Sequence, residues 1–539
     1  MSKFVFVLGG VVSSLGKGIT AASLGTLLKS RSLSVNVVKL DPYINVDPGT
    51  MSPYQHGEVF VTDDGAEADL DLGHYERFLH TSLSKENNIT AGKIYHNVIQ
   101  KERKGEYLGN TVQVIPHITN EIKDHLYKVA EHTKADIIFV EVGGTVGDIE
   151  SLPFLEAIRQ MKHELPPHST LYMHVTLVPY IAAAKELKSK PTQHSVKELR
   201  SIGIQPDIIV CRSDREIPES MKDKIALFCD VNKKDVVGNP DLKSIYEVPL
   251  LFQEKKVDLL VLKKLHIAPP PIDMSGWEEM VCNMNSPTKE ITILLGGKYV
   301  DLADAYISIS EAINHAATSK RVRVHIKKVD TEKIEDLSND EFKDLFYKVD
   351  GIIIPGGFGS RGITGKIRLI EYARVHNIPF LGLCLGMQCA VIEFARNVAH
   401  LEDSHSTEFN ATTCHKIFDL MENQKGVDKG GSMRLGGYEC TIKDEDSLLY
   451  KLYQKHSIIE RHRHRFEFNN MYKKTLEEYG LVFSGIYEKE QLVEAIELPL
   501  HPFFVAVQYH PEFLSRPKEP HPLFLGFVDG ALKFSNKLG

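Results

Sequence analysis

Lys17 and Cys384 are the residues whose surroundings most clearly indicate chemistry. Lys17 ends a glycine- and serine-rich segment, residues 9–17, that follows an apolar run and precedes a helical pattern. Backbone N–H groups in such a segment can contact an anion, and the helix N-terminus adds partial positive charge. Cys384 lies between Gly382 and Gly386, the spacing of a nucleophile elbow that exposes a thiol at a sharp turn. The sequence therefore predicts phosphate binding near the first residues and catalysis by sulfur much later.

The loop around Lys17 departs from a regular Walker A motif. Five residues separate Gly10 from Gly16, where the usual motif has four. Gly18 stands where a serine or threonine hydroxyl normally holds magnesium. A metal at this loop must therefore be held by carboxylates from elsewhere in the chain. The alternative is a strand-to-helix turn with no ligand.

Two carboxylates are candidates for that metal site. Glu141 follows an apolar run, and an acid at the end of a buried strand holds magnesium in many nucleotide hydrolases. Asp71 belongs to an acidic segment in which Glu67, Asp69 and Asp71 alternate, which predicts that they share one side of an extended strand. The alternatives are a helix-capping role for Glu141 and a solvated acidic edge for the other three.

A second phosphate-binding region is indicated by residues 185–199, where lysines alternate with Thr, Gln and His. Further positive charge follows from Lys222, Lys224, Lys233 and Lys234. This basic segment can bind a second polyphosphate, although a run of lysines is more often a solvated helix surface. The pattern leaves both interpretations open.

A thiol nucleophile needs a base, and the base needs a group that orients it. An apolar run ends near His510, and Glu512 lies two residues further, so Cys384, His510 and Glu512 form a candidate triad. Glycines after the apolar residues 351–354, together with the N–H of Leu385, are candidates for stabilising an oxyanion. The alternative for Cys384 is a buried structural cysteine, which has no need of glycine on both sides.

Composition excludes several classes of protein. The 539 residues are 42% hydrophobic and 25% charged, as in a globular protein, and the formal net charge of -8 argues against nucleic acid as the main partner. The basic run 461–465 fits a clamp for a substrate carboxylate better than a nucleic-acid contact. Seven scattered cysteines show no CxxC pair, and no apolar run reaches membrane length. We expect a cytoplasmic protein that has no membrane partner.

The elements that must position these residues alternate between buried strands and helices, which predicts an α/β fold. A proline-rich stretch, residues 268–272, interrupts the pattern before it begins again near residue 291. We predict two doubly wound α/β domains: residues 1–267, a linker at 268–290, and residues 291–539. In such sheets, ligands bind beyond the carboxyl ends of the strands, so Lys17, Lys39 and Asp41 are expected to face one crevice.

Longer motifs accompany these residues. They are GGVVSSLGKG at 9–18, KLDPYINVDPGTMSP at 39–53, DLDLGHYER at 69–77, KPTQH at 190–194, PGGFG at 355–359, GLCLGMQ at 382–388 and HPE at 510–512. The later motifs resemble those of class I glutamine amidotransferases. Together with the earlier ones, they make the chain resemble the CTP synthase family along essentially its whole length, with an N-terminal P-loop-like amidoligase domain.

This resemblance implies that ATP phosphorylates O4 of UTP and that ammonia from glutamine then displaces phosphate at C4 to give CTP, with Mg²⁺ as cofactor. It implies catalysis of glutamine hydrolysis by Cys384, His510 and Glu512. The ATP site would comprise Ser14, Leu15, Gly16, Lys17, Gly18, Ile19 and Asp71, with Asp71 and Glu141 as metal ligands and Lys39 near the transferred phosphate. The UTP and CTP site would comprise Ser13, Asp148, Ile149, Glu150, Lys188, Ser189, Lys190, Pro191, Thr192, Gln193 and Lys224. The glutamine pocket would comprise Gly357, Leu385, Gly386, Met387, Gln388, Glu408 and Arg465.

The resemblance also implies regulation and assembly. CTP would act as a feedback inhibitor and GTP as an activator, with residues 430–436 as a mobile lid linked to GTP, and four subunits would form a homotetramer. Because ammonia is mostly protonated at neutral pH, we predict that it passes internally to UTP. Two rivals stay open on the sequence: another glutamine-dependent amidoligase, such as those acting on corrinoid carboxylates, or a partitioning-type ATPase fused to an inert module.

Overall fold

The structure is a computed structural model, and it describes residues 2–420 and 433–538. The chain forms two compact units. Unit 1 comprises Met1–Pro48 and Asp71–Val281, and unit 2 comprises Gly49–Leu70 and Cys282–Gly539. The predicted domain boundaries at residues 267 and 291 stay a prediction. No helix of the described residues is long and apolar enough to cross a membrane.

Strands and helices are numbered in chain order. The strands are β1 (Lys3–Gly9), β2 (Val35–Asp41), β3 (Phe60–Val61), β4 (Glu67–Ala68), β5 (Asn88–Thr90), β6 (Ile137–Val142), β7 (Thr170–Leu177), β8 (Tyr180–Ile181), β9 (Glu186–Leu187), β10 (Ile208–Ser213), β11 (Val236–Pro240), β12 (Lys289–Gly297), β13 (Val322–Asp330), β14 (Gly351–Ile354), β15 (Phe380–Leu383), β16 (Ser404–Ser406), β17 (His415–Leu420), β18 (Arg434–Thr441), β19 (Ser457–His464), β20 (Phe466–Phe468), β21 (Val482–Tyr487), β22 (Leu492–Glu497) and β23 (Phe504–Val507). The helices are α1 (Lys17–Lys29), α2 (Pro53–His56), α3 (Asp71–Leu79), α4 (Ala91–Arg103), α5 (Thr119–Thr133), α6 (Leu152–Glu164), α7 (Lys190–Ser201), α8 (Glu219–Cys229), α9 (Val248–Glu254), α10 (Val257–Lys264), α11 (Ser275–Asn285), α12 (Ile307–Ser319), α13 (Thr331–Glu335), α14 (Asn339–Asp344), α15 (Ile363–Val375), α16 (Leu385–Asn397), α17 (Leu448–Tyr453), α18 (Lys473–Glu478) and α19 (Pro522–Leu538).

Unit 1 is built on a seven-stranded sheet in the order β11-β10-β7-β1-β6-β2-β5. Every pairing in this sheet is parallel. The central strands β1 and β6 are almost entirely buried, as expected for strands covered on both faces by helices. All carboxyl ends of these strands lie at one edge, so the loops after β1, β2 and β6 meet there.

Unit 2 contains a nine-stranded mixed sheet in the order β13-β12-β14-β15-β23-β22-β21-β18-β19. The first five strands are parallel, and the strands from β22 to β19 continue the sheet antiparallel. Two smaller sheets, β16-β17-β20 and the hairpin β3-β4, complete the unit. The two parallel-sheet cores with their covering helices confirm the predicted α/β class.

The pairing of β15 with β23 positions the later predicted site. Leu383 pairs with Val507 in parallel register, so the residues that follow these strands begin side by side at one edge of the sheet. The next residue after β15 is Cys384, and His510 follows β23 by three residues. Sheet register therefore brings together residues that lie more than 120 positions apart.

Candidate active sites

The predicted phosphate loop joins β1 to α1 in unit 1. Val11, Ser14 and Gly16 have φ of 81°, 58° and 79°, so the backbone turns repeatedly through the left-handed region before the helix starts at Lys17. A Cβ at Gly10 would lie 1.6 Å from the Ser195 side-chain oxygen, which explains why glycine is required there. The loop thus turns tightly at the N-terminus of α1, the geometry that favours binding of an anion.

Carboxylates and ammonium groups converge beside the start of α1. The Lys39 Nζ atom lies 3.0 Å from Glu141 Oε1 and also contacts the Asp71 carboxylate. A Cβ at Gly18 would lie 2.8 Å from Asp71 Oδ1 and 3.1 Å from Glu141 Oε2. Both predicted metal ligands are therefore packed against the residue that follows Lys17.

The charges in this cluster shift the pKa values of its members. Burial alone would raise the pKa of Asp71, but Lys39, with smaller contributions from His74 and Lys17, outweighs burial and lowers that pKa to about 2. Burial lowers the pKa of Lys17, whose Nζ atom donates a 2.7 Å hydrogen bond to the Gly144 carbonyl. Asp71 is thus ionised at neutral pH and able to bind a cation.

The donor set beside Gly18 fits a magnesium ion that is shared with a phosphate. Among residues 2–420 and 433–538, no three His, Cys, Asp or Glu side chains form a cluster that could hold a metal by themselves. Magnesium, however, commonly takes only one or two protein carboxylates and completes its shell with phosphate oxygens and water. Asp71 and Glu141 supply that pair of carboxylates.

The expectation of one extended acidic strand was wrong. Asp71 is the first residue of α3, whereas Glu67 lies in β4 and contacts Arg463, 2.7 Å away. The short strand ends after Ala68 because the chain turns into a helix, so side chains no longer alternate. Sequence reasoning also missed Tyr75, whose hydroxyl donates to Glu141. Its position four residues after Asp71, on the same helix face, was the available signal.

The predicted UTP and CTP residues lie on loops and helices of unit 1, and two of these segments contact the phosphate loop. Val146, in the segment that carries the predicted residues 148–150, donates a 2.8 Å hydrogen bond to the Gly9 carbonyl. Helix α7, which contains Lys190, Pro191, Thr192 and Gln193, contacts Gly10 through Ser195. Lys224 is exposed on the neighbouring α8, and Lys188 pairs with Glu186. Ser189 and Thr192 are buried, and the Thr192 hydroxyl donates to the Leu177 carbonyl.

The predicted nucleophile elbow in unit 2 has an unusual backbone. Cys384 itself has φ of 50° and ψ of -103°, and its N–H donates to the Val507 carbonyl at 2.8 Å. The flanking glycines act through close packing instead: a Cβ at Gly386 would lie 2.1 Å from the Ile354 carbonyl oxygen. Strain at a non-glycine residue is typical of functional sites, and here it falls on the thiol-bearing residue.

His510 and Glu512 lie beside this cysteine. The His510 Nδ1 atom lies 2.7 Å from Glu512 Oε1, and the buried Nε2 atom makes no hydrogen bond within the described residues. A Cβ at Gly356 would lie 2.8 Å from His510 Cε1 and 3.6 Å from Cys384 Cβ, so Gly356 lies between the two. Burial opposes protonation of the imidazole, but the charges of Glu512 and Cys384 outweigh it and raise the pKa of His510 to about 10.

A cavity of about 250 Å³ opens beside the three residues of the triad. One wall is formed by Gly356, Gly357 and Phe358, which follow β14. Another comes from the segment at 49–59, which belongs to unit 2 although it lies far from the triad in sequence. The cavity is large enough for an amino-acid substrate.

The glycine-rich wall is held from two sides. Lys298 Nζ donates hydrogen bonds to the carbonyls of Phe358 and Gly359 at 2.5 and 2.8 Å, and Glu408 accepts from the Gly359 N–H at 2.8 Å. Burial raises the pKa of Glu408, opposed by that N–H and by the charges of Lys298 and Arg465. The predicted pocket residues Glu408 and Arg465 thus lie together, and Lys298 is a neighbour that sequence reasoning missed.

Two other residues of the predicted glutamine pocket, Met387 and Gln388, are buried. Met387 is fully buried in the apolar core, so its side chain does not line the cavity. Gln388 is buried and donates to the Phe466 carbonyl and to Gln508, each at 3.4 Å. Sequence reasoning missed Gln508, although its position two residues before His510 in an extended segment predicts that both face the same side.

The basic run 461–465 forms ion pairs within unit 2. Arg461 is fully buried and lies 2.5 Å from the Asp63 carboxylate, and Arg463 lies 2.7 Å from that of Glu67. These pairs anchor part of the segment at 49–70. Arg463 also lines the cavity beside the triad, and the charge of Arg465 acts on Glu408. Of the predicted lid, residues 430–432 lie outside the described residues, and Arg434 pairs with Glu494 at 2.6 Å.

Two family models match the chain. The model described as CTP synthase N-terminus matches residues 3–267, and the model described as glutamine amidotransferase class-I matches residues 301–529. The first covers the phosphate loop and both candidate metal ligands. The second covers the triad and the glycine-rich wall of the cavity, but not the wall formed by the segment at 49–59.

Curated relatives match over nearly the entire chain. A CTP synthase from Caldanaerobacter subterraneus subsp. tengcongensis is 59% identical over 533 residues, which is 99% of this chain and 98% of the relative. A CTP synthase from Gloeothece citriformis is 57% identical over 537 residues, 99% of this chain and 96% of the relative. Among solved structures, the glutaminase domain of Trypanosoma brucei CTPS with bound acivicin is 39% identical, with a TM-score of 0.43, and covers 45% of this chain and 94% of that one.

Proposed function

The chain belongs to the CTP synthase family, and from that premise we propose which of its residues carry out each half of the reaction. The enzyme is a ligase that forms a carbon–nitrogen bond: it aminates UTP to CTP, with glutamine as nitrogen donor and ATP as a further substrate. The rival amidoligase and the inert fusion considered from the sequence are thereby set aside. Activation of UTP is assigned to the cluster around Lys17, and release of ammonia to the cluster around Cys384.

In the activating half, the loop at 14–19 binds the phosphates of ATP at the N-terminus of α1, and Lys17 exchanges its Gly144 carbonyl for a phosphate oxygen. Asp71 and Glu141 would hold Mg²⁺, which neutralises charge on the transferring phosphoryl group when bound. Lys39, now paired with both carboxylates, is placed to approach the transferred phosphate. Phosphorylation converts the uracil O4 into a good leaving group.

In the nitrogen-releasing half, the sulfur of Cys384 attacks the amide carbon of glutamine. His510 is already protonated at neutral pH, because its pKa is raised to about 10, so it can deliver a proton to the departing ammonia. Glu512 orients the imidazole through Nδ1. Water then hydrolyses the thioester to glutamate. The N–H groups of Gly357 and Leu385 are the proposed donors to the oxyanion.

Recognition and regulation complete the proposal. Glu408, Gln388 and Arg465 bind the glutamine, and the segments at 148–150 and 188–193 with Lys224 bind UTP and the inhibitor CTP. GTP acts as an activator, and the active assembly is a homotetramer. Released ammonia reaches UTP before it equilibrates with solvent, which competition between labelled glutamine and unlabelled ammonium in the medium would test. Free exchange of the released ammonia with the medium at full turnover would refute internal transfer.

The observation that carries the two-site proposal is the pair of separate clusters, one around Lys17 and one around Cys384. We expect Cys384→Ala to abolish CTP formation from glutamine and to spare the reaction with ammonia. We expect Lys17→Ala to abolish both, because each nitrogen source needs activated UTP. The exposed residues Cys414 and Lys128 provide matched controls, and their alanine variants should behave like the parent. Loss of the ammonia reaction in folded Cys384→Ala would contradict the assignment.

A further inference from the structure

The sulfur of Cys384 has two polar neighbours besides the triad. It lies 3.7 Å from the backbone carbonyl oxygen of Arg463 and 3.7 Å from the side-chain Nε2 of Gln508. Gln508 is fully buried, and it directly follows Val507, the strand partner of Leu383, so sheet register places it beside the cysteine. The carbonyl accepts a hydrogen bond only from the protonated thiol, whereas an amide N–H stabilises the thiolate.

The hydrogen-bond partners of Gln388 and Gln508 determine which atom of the Gln508 amide faces the sulfur. The Phe466 carbonyl can only accept a hydrogen bond, so the Gln388 atom 3.4 Å from it must be the nitrogen Nε2. That same nitrogen lies 3.4 Å from the oxygen Oε1 of Gln508. Because the oxygen of Gln508 is turned toward Gln388, its amide nitrogen is turned toward Cys384. The orientation is therefore determined by a chain of donors that starts at a backbone carbonyl.

We propose that Gln508 is a further catalytic residue of glutamine hydrolysis, whose side-chain N–H donates to the Cys384 sulfur and stabilises the thiolate that attacks glutamine, with Gln388 as the positioning residue. The inference rests on the proposed role of Cys384 as nucleophile. The hydrogen bond from Gln508 opposes the effect of the Arg463 carbonyl, because that carbonyl stabilises only the protonated thiol. It also holds the sulfur at a defined position beside His510 before glutamine binds.

The test is the pH dependence of alkylation of Cys384 by iodoacetamide in the full-length enzyme, followed as loss of glutamine-dependent CTP formation. In Gln508→Met, which keeps the side-chain length but lacks the donor, the pH of half-maximal alkylation rate should rise by about one unit. In Gln508→Glu, a carboxylate replaces the donor and the rise should be larger. At neutral pH, kcat/KM for glutamine should fall about tenfold in Gln508→Met and recover at higher pH.

Controls separate this inference from misfolding and from the proposed function. Gln491→Met removes an amide from an exposed turn and should leave the pH profile unchanged. Ammonia-dependent CTP formation reports whether each variant is folded, and if Gln508→Met fails that check, the near-isosteric Gln508→Glu decides the question. A parental or lowered pH midpoint in a folded Gln508 variant overturns the inference. If instead Cys384→Ala retains glutamine hydrolysis, the proposed function itself is wrong.

Discussion

Gly356 offers a sharp test of the triad geometry, because it lies between the two groups that must cooperate. In Gly356→Ala, the added Cβ would lie 2.8 Å from His510 Cε1, whereas ordinary van der Waals contact begins at 3.4 Å. The imidazole must therefore move by about 0.6 Å or more. The same methyl would lie 3.6 Å from Cys384 Cβ, which is an ordinary contact, so the displacement falls mainly on the histidine.

The size of the effect follows from that displacement. Misplacing a reacting group by about 1 Å costs about 100-fold in rate, so a shift of about 0.6 Å predicts a 10- to 100-fold loss in kcat/KM for glutamine, roughly 1.4 to 2.7 kcal/mol. The assay is steady-state CTP formation with glutamine, compared with the same reaction driven by ammonium. The second reaction should keep its parental rate, because it does not use His510.

Gly357→Ala is the matched comparison for this prediction. Its Cβ would lie 3.5 Å from Leu385 Cδ2, an ordinary contact, so the loss with glutamine should be clearly smaller than in Gly356→Ala. Equal losses in the two variants, or a parental rate in Gly356→Ala, would refute the reasoning. An equal loss with glutamine and ammonium would point to a folding defect rather than to displacement of His510.

Two further predictions concern stability and use urea denaturation. Gly386→Ala places a Cβ 2.1 Å from the Ile354 carbonyl oxygen, a backbone atom that cannot rotate away, so the free energy of unfolding should fall by about 3 kcal/mol; parental stability would contradict the packing. Burial, with a smaller contribution from Lys17, lowers the pKa of His174 from 6.5 to about 3, so its stabilising effect is present above pH 6.5 and is lost as pH falls toward 3. His174→Gln should therefore reduce the loss of stability between pH 7 and pH 5 by about 2 kcal/mol, and an unchanged loss would show that the histidine is protonated in the folded state.

Features that depend on a few neighbouring residues could be predicted from the sequence. Alternating buried strands and helices indicated the α/β class, which the parallel sheet of unit 1 and the parallel half of the mixed sheet of unit 2 confirm. The glycine-rich turn before Lys17 and the glycines flanking Cys384 were recognisable because local backbone geometry restricts residue type. At Cys384, however, the reason for the flanking glycines is packing rather than backbone conformation. The positive φ belongs to Cys384 itself, and Gly386 is needed because a side chain there would collide with Ile354.

Other features depended on tertiary structure because they join residues far apart in the chain. The carboxylates of Asp71 and Glu141 meet beside Gly18 only because α3 and β6 are brought to the same edge of one sheet. The acidic alternation near residue 69 indicated a strand, but the chain turns there into a helix. The segment at 49–70 lies within unit 2, where its own acidic residues pair with arginines of β19.

By itself, the sequence determined which residues are candidates for the chemistry: the lysine of the phosphate loop, the thiol, the imidazole and their acidic partners. Tertiary structure alone decided how they are arranged, including the placement of Gln508 beside the sulfur of Cys384. Residue type and local spacing specify only a chemical group and the local backbone turn that carries it. Strand order and register, which follow from packing the whole core, decide which groups lie within hydrogen-bond distance of one another.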